Sequence, residues 1–257
     1  MSAINKEKKT DVSIDKIHFD DAEDLAETMM SAMYEDPSWA GLWSPDMTLD
    51  NIIQDTAARL PWGLIKAGSA LPVSKRFQKA VDGSSGKAVG YARWILPDSV
   101  LTESGEICWP AALPPPASDS AQNVYRKQFE AVTSADGKIR NLLHEREDDL
   151  SAEIIEIEDR IKKDNPNGLE LDYLAVHSAF QRRGTGRLLL ADGLALADQL
   201  GVKTFVLARA AGVKLYPTAS ARWRSSYSGG QSMGGILRTL RCSSSESPRC
   251  ALEVMGK

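Results

Sequence analysis

Cysteine and histidine are scarce in this sequence. The three cysteines, Cys108, Cys242 and Cys250, and the three histidines, His18, His144 and His177, lie far apart. That scatter excludes a disulfide framework and offers no metal-ligand spacing, so no metal site is expected. A reducing, cytoplasmic setting is the corresponding expectation. Long hydrophobic runs are also missing: no stretch of about eighteen apolar residues occurs, which argues against a membrane-spanning helix. The first residues, MSAINKEKKTD, lack the apolar centre of a signal peptide, so no membrane partner is expected. Nor is there a large excess of one charge. At a formal −4 the chain has no basic surplus with which to hold nucleic-acid phosphates, and nucleic acid is not expected as a partner.

What is present starts with enough apolar material, 42% of 257 residues, for one large domain or one domain with additions. The organising stretch is residues 169–190, LELDYLAVHSAFQRRGTGRLLL. Residues 169–176 are apolar and branched enough for a core strand. Residues 177–180 form a connector. Gln181-Arg182-Arg183-Gly184-Thr185-Gly186 then leads into a leucine-rich helix. A helix start carries unpaired N–H groups and the positive end of the dipole, and glycines there let a phosphate come close. Two phosphate-binding patterns are excluded. Leu189 stands where a Gly-x-Gly-x-x-Gly fingerprint needs its third glycine, and no Gly-Lys-Ser/Thr occurs in the loop.

The segment Leu-Ala-Val-His followed by Gln-x-x-Gly-x-Gly resembles the acyl-CoA pyrophosphate loop of the GNAT (Gcn5-related) N-acetyltransferase family, matching every fixed position of Gln/Arg-x-x-Gly-x-Gly/Ala. Val-Gly-Tyr-Ala-Arg-Trp at 89–94 is similar to that family's central strand, and Gly-Val-Lys-Leu-Tyr at 212–216 to its penultimate, tyrosine-bearing helix. The resemblance covers about residues 12–216. It implies an α/β fold with a mixed, mostly antiparallel central sheet flanked by helices; between strands 3 and 4, where the family usually has a short link, this sequence carries a long helical insertion, 98–166. The domain plan is then a flexible lead at 1–10, an acetyltransferase domain at 11–216 and a disordered or atypical tail at 217–257. In the tail nine of the 34 residues from 217 to 250 are serine and, apart from Gly234 to Leu240, neither helical nor strand period is clear, so the family's two closing strands are not found.

In chain order, residues 12–18 read as a first strand. Asp20 and Asp21 offer caps to a helix with Leu25, Met29 and Met33 at spacing four. Trp39 and Trp43 are read as core packing rather than a substrate pocket. Leu49, Ile52, Ile53, Ala57 and Leu60 make a second helical stripe, expected to stop at Pro61. Residues 76–81 and 87–96 form a hairpin about a polar turn. Residues 122–132 and 138–163 look helical, the latter with a heavily charged, solvated face. Residues 204–209 are a further strand.

The resemblance further implies transfer of an acyl group, usually acetyl, from acetyl-CoA to a small-molecule or peptide amine. Leu174, Ala175 and Val176 would hold the pantetheine arm, and Arg182, Arg183, Gly184, Thr185, Gly186 and Arg187 the pyrophosphate. Asp172 or Glu170, two apart and therefore on one strand face, is the expected base. Tyr216 matches the general acid, and the Leu174 N–H would polarise the thioester. No cysteine or serine has a nucleophile setting, so direct attack in a ternary complex is expected. The alternative is a non-catalytic, CoA-binding relative lacking the closing strands.

Overall fold

The computed structural model describes residues 11–102, 108–208, 212, 215–216, 223–229 and 237–242. The first strand, β1 (Val12–Asp15), stops before residue 18, because residues 19–21 turn into a 3-10 helix. Asp21 accepts the His18 N–H at 2.6 Å and pairs with Lys79 at 2.7 Å, so its carboxylate ties this turn to the sheet rather than capping the next helix. Helix α1 (Ala22–Tyr34) and the short α2 (Pro37–Ala40) follow. Trp43 is buried and stacks edge-on against Trp39 at 5.5 Å, as core packing requires.

Helix α3 (Leu49–Ser69) begins with a capping box between Thr48 and Asn51 and runs straight through Pro61. The expected stop at Pro61 is therefore wrong. Proline removes one backbone bond, but Leu64 and Ile65 beyond it are buried, and that apolar surface outweighs the local loss. Strands β2 (Lys75–Asp82) and β3 (Ala88–Ile95) form the expected antiparallel hairpin. Between β3 and the next strand come α4 (Asp98–Thr102), α5 (Asp119–Val132) and α6 (His144–Asp164). Residues 138–143, read as helix from the sequence, are instead irregular. Gly137 at φ +81° turns the chain, and isolated bridges Thr133–Ile139 and Trp43–Leu142 hold it extended.

Strand β4 (Leu169–Val176), helix α7 (Thr185–Leu200) and strand β5 (Thr204–Ala208) follow the sequence reading closely. Gly201, at φ +65°, ends α7 in the left-handed conformation. Two further strands, β6 (Trp223–Gly229) and β7 (Leu237–Cys242), lie in the stretch expected to hold none. β7 pairs with β5 and β6 with β7, both antiparallel. Ladder pairing uses backbone groups that every residue except proline supplies, so a serine-rich segment without clear alternation can still complete a sheet. The remainder of 217–257 lies outside the described residues, as does the lead at 1–10.

The seven strands form one sheet in the order β1-β2-β3-β4-β5-β7-β6, antiparallel everywhere except between β4 and β5. One apolar cluster joins Trp94, Leu169 and Leu171 of the sheet to Leu189, Leu190 and Leu194 of α7. A second, on the opposite face, joins Phe77 and Tyr91 to Leu25, Met29 and Ile52 of α1 and α3. A third brings Ile157 and Ile161 of α6 onto Phe205. Among the described residues, no helix is long and apolar enough to cross a membrane, and no group of three or more His, Cys, Asp or Glu is placed to hold a metal.

Candidate functional site

The site is built from β4, the loop after it and the start of α7. β4 pairs with β5 only through Leu169, Glu170 and Leu171. On its other side β4 stays paired with β3 as far as Val176, but the register slips between Arg93 and Trp94: Arg93 faces Tyr173, Trp94 faces Leu171, and Asp172 has no partner. This is a β-bulge with one extra residue in β4. It reverses the alternation of the strand. Leu169 and Leu171 belong to the α7-side cluster, Tyr173 and Ala175 to the opposite one, and Leu174 and Val176 pack against the α7 side again.

The backbone follows the same switch. The Leu169 N–H bonds the carbonyl of Lys203, just before β5, at 2.8 Å, whereas the His177 N–H bonds the carbonyl of Val89 in β3 at 3.0 Å. Alternate residues of a strand face opposite edges. Counting back from His177, Tyr173 and Ala175 therefore face β3, while Leu174 and Val176 present their N–H groups to the edge that β5 has left. Among the described residues, no strand pairs with that edge. Of the three residues expected to hold a pantetheine arm, Leu174 and Val176 offer backbone groups there and Ala175 does not.

The loop is held by its own short bonds. His177 Nδ1 accepts the Ala179 N–H at 3.2 Å, Gln181 Nε2 donates to the Val176 carbonyl at 3.3 Å, and Thr185 Oγ1 donates to the Phe180 carbonyl at 3.4 Å. Arg182, at φ +58°, and Gly184, at φ +90°, both sit in the left-handed region. Gly184 is the N-cap of α7, and no side chain caps the helix there. Gln181, Arg182, Arg183 and Gly184 are exposed, as is Arg187, while Thr185 and Gly186 are buried. The Arg183 guanidinium lies 5.2 Å from the Phe180 ring. A Cβ on Gly186 would come 3.1 Å from Leu215 and 3.7 Å from Val176, so the helix start sits directly beside the open end of β4. The result is an uncapped, positively polarised helix terminus with exposed arginines next to a strand edge bearing free donors.

The candidate ionisable groups separate into distinct environments. Glu170 is only 9% exposed and lies 3.4 Å from Lys162 of α6. Burial pushes its carboxyl above the usual range; the Lys162 ammonium acts the other way, and Asp172 and Glu158 add to the rise. Burial likewise raises Glu158, with Lys162 opposing. Asp172 accepts a hydrogen bond from Arg93 Nε in an ion pair across β3 and β4. Burial works against the Arg93 charge, but Tyr91 and Asp172 together carry the guanidinium above its ordinary value. Tyr216 is 4% exposed within the α7-side cluster, and burial pushes its phenol upward, so it stays protonated. The sequence reading missed Arg93 and Lys162. A lone arginine inside the otherwise apolar strand AVGYARWI was the available signal for the first; a lysine on a charged helix gives none.

Residues 112–217 match the profile of the Acetyltransferase (GNAT) family. A search of curated proteins gives no match. Among solved structures, the chain is similar to the histone acetyltransferase HPA2 and related acetyltransferase from Corynebacterium glutamicum, with TM-score 0.50 and 15% identity, covering 92% of this chain and 98% of that one. It is also similar to the C-terminal condensation domain of Ebony in complex with beta-alanyl-dopamine, with TM-score 0.53 and 8% identity, covering 91% and 99%. At such identities the likeness is one of fold.

Proposed function

We propose that the chain, whose residues 112–217 match the GNAT acetyltransferase profile, moves an acyl group, ordinarily acetyl, from acyl-CoA to an amine acceptor. The observation that carries this is the uncapped start of α7, with Gly184 left-handed, set against the unpaired edge of β4. These residues suit the cosubstrate. The first N–H groups of α7 and the exposed Arg182, Arg183 and Arg187 form an anion cradle fit for a pyrophosphate. Leu174 and Val176 offer strand-type N–H donors to an extended amide arm, while the Val176 carbonyl takes Gln181 Nε2. Acetyl-CoA supplies an acyl group already activated as a thioester.

The remaining chemistry is assigned to the chain's own groups. The Leu174 N–H is the donor to the thioester carbonyl. Glu170, with its raised carboxyl pKa, is the base that takes the ammonium proton of the acceptor. Asp172, the other candidate, is engaged by Arg93, so Glu170 has the stronger claim. Tyr216, held protonated by burial, is the proton donor to the departing sulfur. Direct attack needs no acyl-enzyme. Cys108 does not challenge this, because burial pushes its thiol up, away from the reactive thiolate. The non-catalytic alternative rested on missing closing strands, and β6 and β7 remove that motive.

The test is calorimetric titration of acetyl-CoA into the native chain and into Gly184→Glu. Glutamate there sets a negative charge in the cradle. The expected result is saturable binding by the native chain and its loss in a folded variant. Absence of binding by the folded native chain, or equal binding by both, would overturn the assignment.

A further inference from the structure

We propose that the Arg93–Asp172 ion pair is a clamp on the β4 bulge, and that it aims the Leu174 and Val176 N–H groups at the open edge. Arg93 is thus a positioning residue for the thioester. This rests on the acyl-CoA reading of that edge.

Asp172 has no ladder partner, because the register passes from Trp94–Leu171 to Arg93–Tyr173. A bulge interrupts the ladder at its extra residue. Here the extra residue's own side chain spans the gap, meeting the guanidinium of the residue where pairing resumes. The guanidinium also lies 5.6 Å from the Tyr173 ring, and Tyr173 meets Tyr91 edge-on at 5.5 Å. Arg93 therefore contacts both Asp172 and Tyr173, the extra residue and the one after it.

The phase of the strand depends on that residue. Leu169 faces β5 through its N–H. With strict alternation Leu171, Tyr173 and Ala175 would do the same, and Leu174 would turn to β3. The inserted residue is what places Leu174 on the unpaired edge and gives His177 its bond to Val89. A half-buried ion pair is a poor device for stability alone, since an apolar pair of equal volume commonly serves as well. Directional bonds fix a geometry that an apolar pair would leave loose. Arg and Asp each keep part of their surface in water, with side chains 32% and 23% exposed, and the burial that works against the Arg93 charge is outweighed by Tyr91 and Asp172.

The probe is acetyl-CoA labelled with ¹³C at the thioester carbonyl, observed by difference infrared spectroscopy on the native chain, Arg93→Met, Asp172→Asn and Arg93→Lys. Calorimetry on the same samples measures binding. The expected result is a carbonyl band moved to lower frequency in the native complex. Arg93→Met and Asp172→Asn should return it toward the free value and weaken acetyl-CoA binding by about two- to tenfold, the range of a single hydrogen bond. Arg93→Lys should restore most of the displacement. A merely structural role would lower stability without moving the band. If Arg93→Met does not fold, Asp172→Asn and Arg93→Lys carry the comparison. A displaced native band that is unchanged in the variants overturns the clamp alone. A native complex without displacement overturns the clamp together with the role of Leu174. A folded native chain that binds no acetyl-CoA overturns the acyl-CoA reading and the clamp with it.

Discussion

Alanine at Gly193 and alanine at Gly63 are the same change in the same type of element, and the structure gives them opposite signs. Gly63 lies exposed in α3, and a Cβ built there meets nothing within 4 Å. Removing a flexible residue from the unfolded chain should stabilise by about 0.4–1 kcal/mol. Gly193 lies buried in α7, where a Cβ would come 2.3, 2.5 and 2.6 Å from three atoms of the Trp94 ring. Carbon atoms rest at about 3.5–4.0 Å, so the ring or the helix must retreat by more than an ångström. Trp94 has no free space: it is 0% exposed, and its Nε1 donates to Gln78 Oε1 at 3.2 Å. Gln78 Nε2 in turn donates to Asp192 Oδ2 at 2.9 Å, on the residue next to Gly193. Moving α7 outward therefore stretches this chain as well. Overpacking costs about 1–3 kcal/mol, a strained hydrogen bond about 0.5–1.5, and better helix propensity returns about 0.8–1.0. The net expectation is destabilisation by about 1–3 kcal/mol. With a urea m-value of about 2 kcal/mol/M, the midpoint should fall by about 0.5–1.5 M for Gly193→Ala and rise by about 0.2–0.5 M for Gly63→Ala. Urea unfolding followed by tryptophan fluorescence and circular dichroism measures both. A Gly193→Ala chain as stable as native, with unchanged m, would refute the close approach of α7 to Trp94.

Two further predictions concern Glu170. Lys162→Met removes the ammonium that opposes the rise of its carboxyl, so the pKa should climb further, and any activity that needs the carboxylate should lose its acid limb at higher pH; ¹³C carboxyl titration with a pH–rate profile checks both, and an unmoved Glu170 resonance would separate α6 from the site. The stability linkage has the sign of a raised carboxyl. Glu170 favours the folded state below its unfolded pKa, about 4.3, and that contribution is lost as pH rises through the higher folded value. Glu170→Gln should accordingly gain stability relative to native as pH rises from about 4 toward neutrality; urea midpoints across that range test this, and a constant difference would contradict it.

Sequence alone determined the parts of this protein that depend on neighbours along the chain. The apolar run of β4, the start of α7 at Gly184 and its left-handed end at Gly201 are local events, and they fall where the residues place them. Gly184 and Gly186 were legible as glycines at a helix start, where a phosphate can approach the backbone; the structure adds that Gly184 is left-handed and that Gly186 lies against Leu215. Tertiary structure decided what depends on contacts between distant segments. Pro61 signals a helix end, yet burial of Leu64 and Ile65 carries α3 past it. Apart from Gly234 to Leu240 the serine-rich tail shows no clear period of its own, and backbone pairing of β7 with β5 and of β6 with β7 makes two strands of it. Strict alternation puts residues two apart on one face, but Leu171 and Leu174, three apart, share the α7 side of the sheet because a bulge opposite Arg93 inserts a residue between them. Spacing along one strand cannot encode that shift, since it arises from the register with another strand and from a charge 79 residues away by sequence.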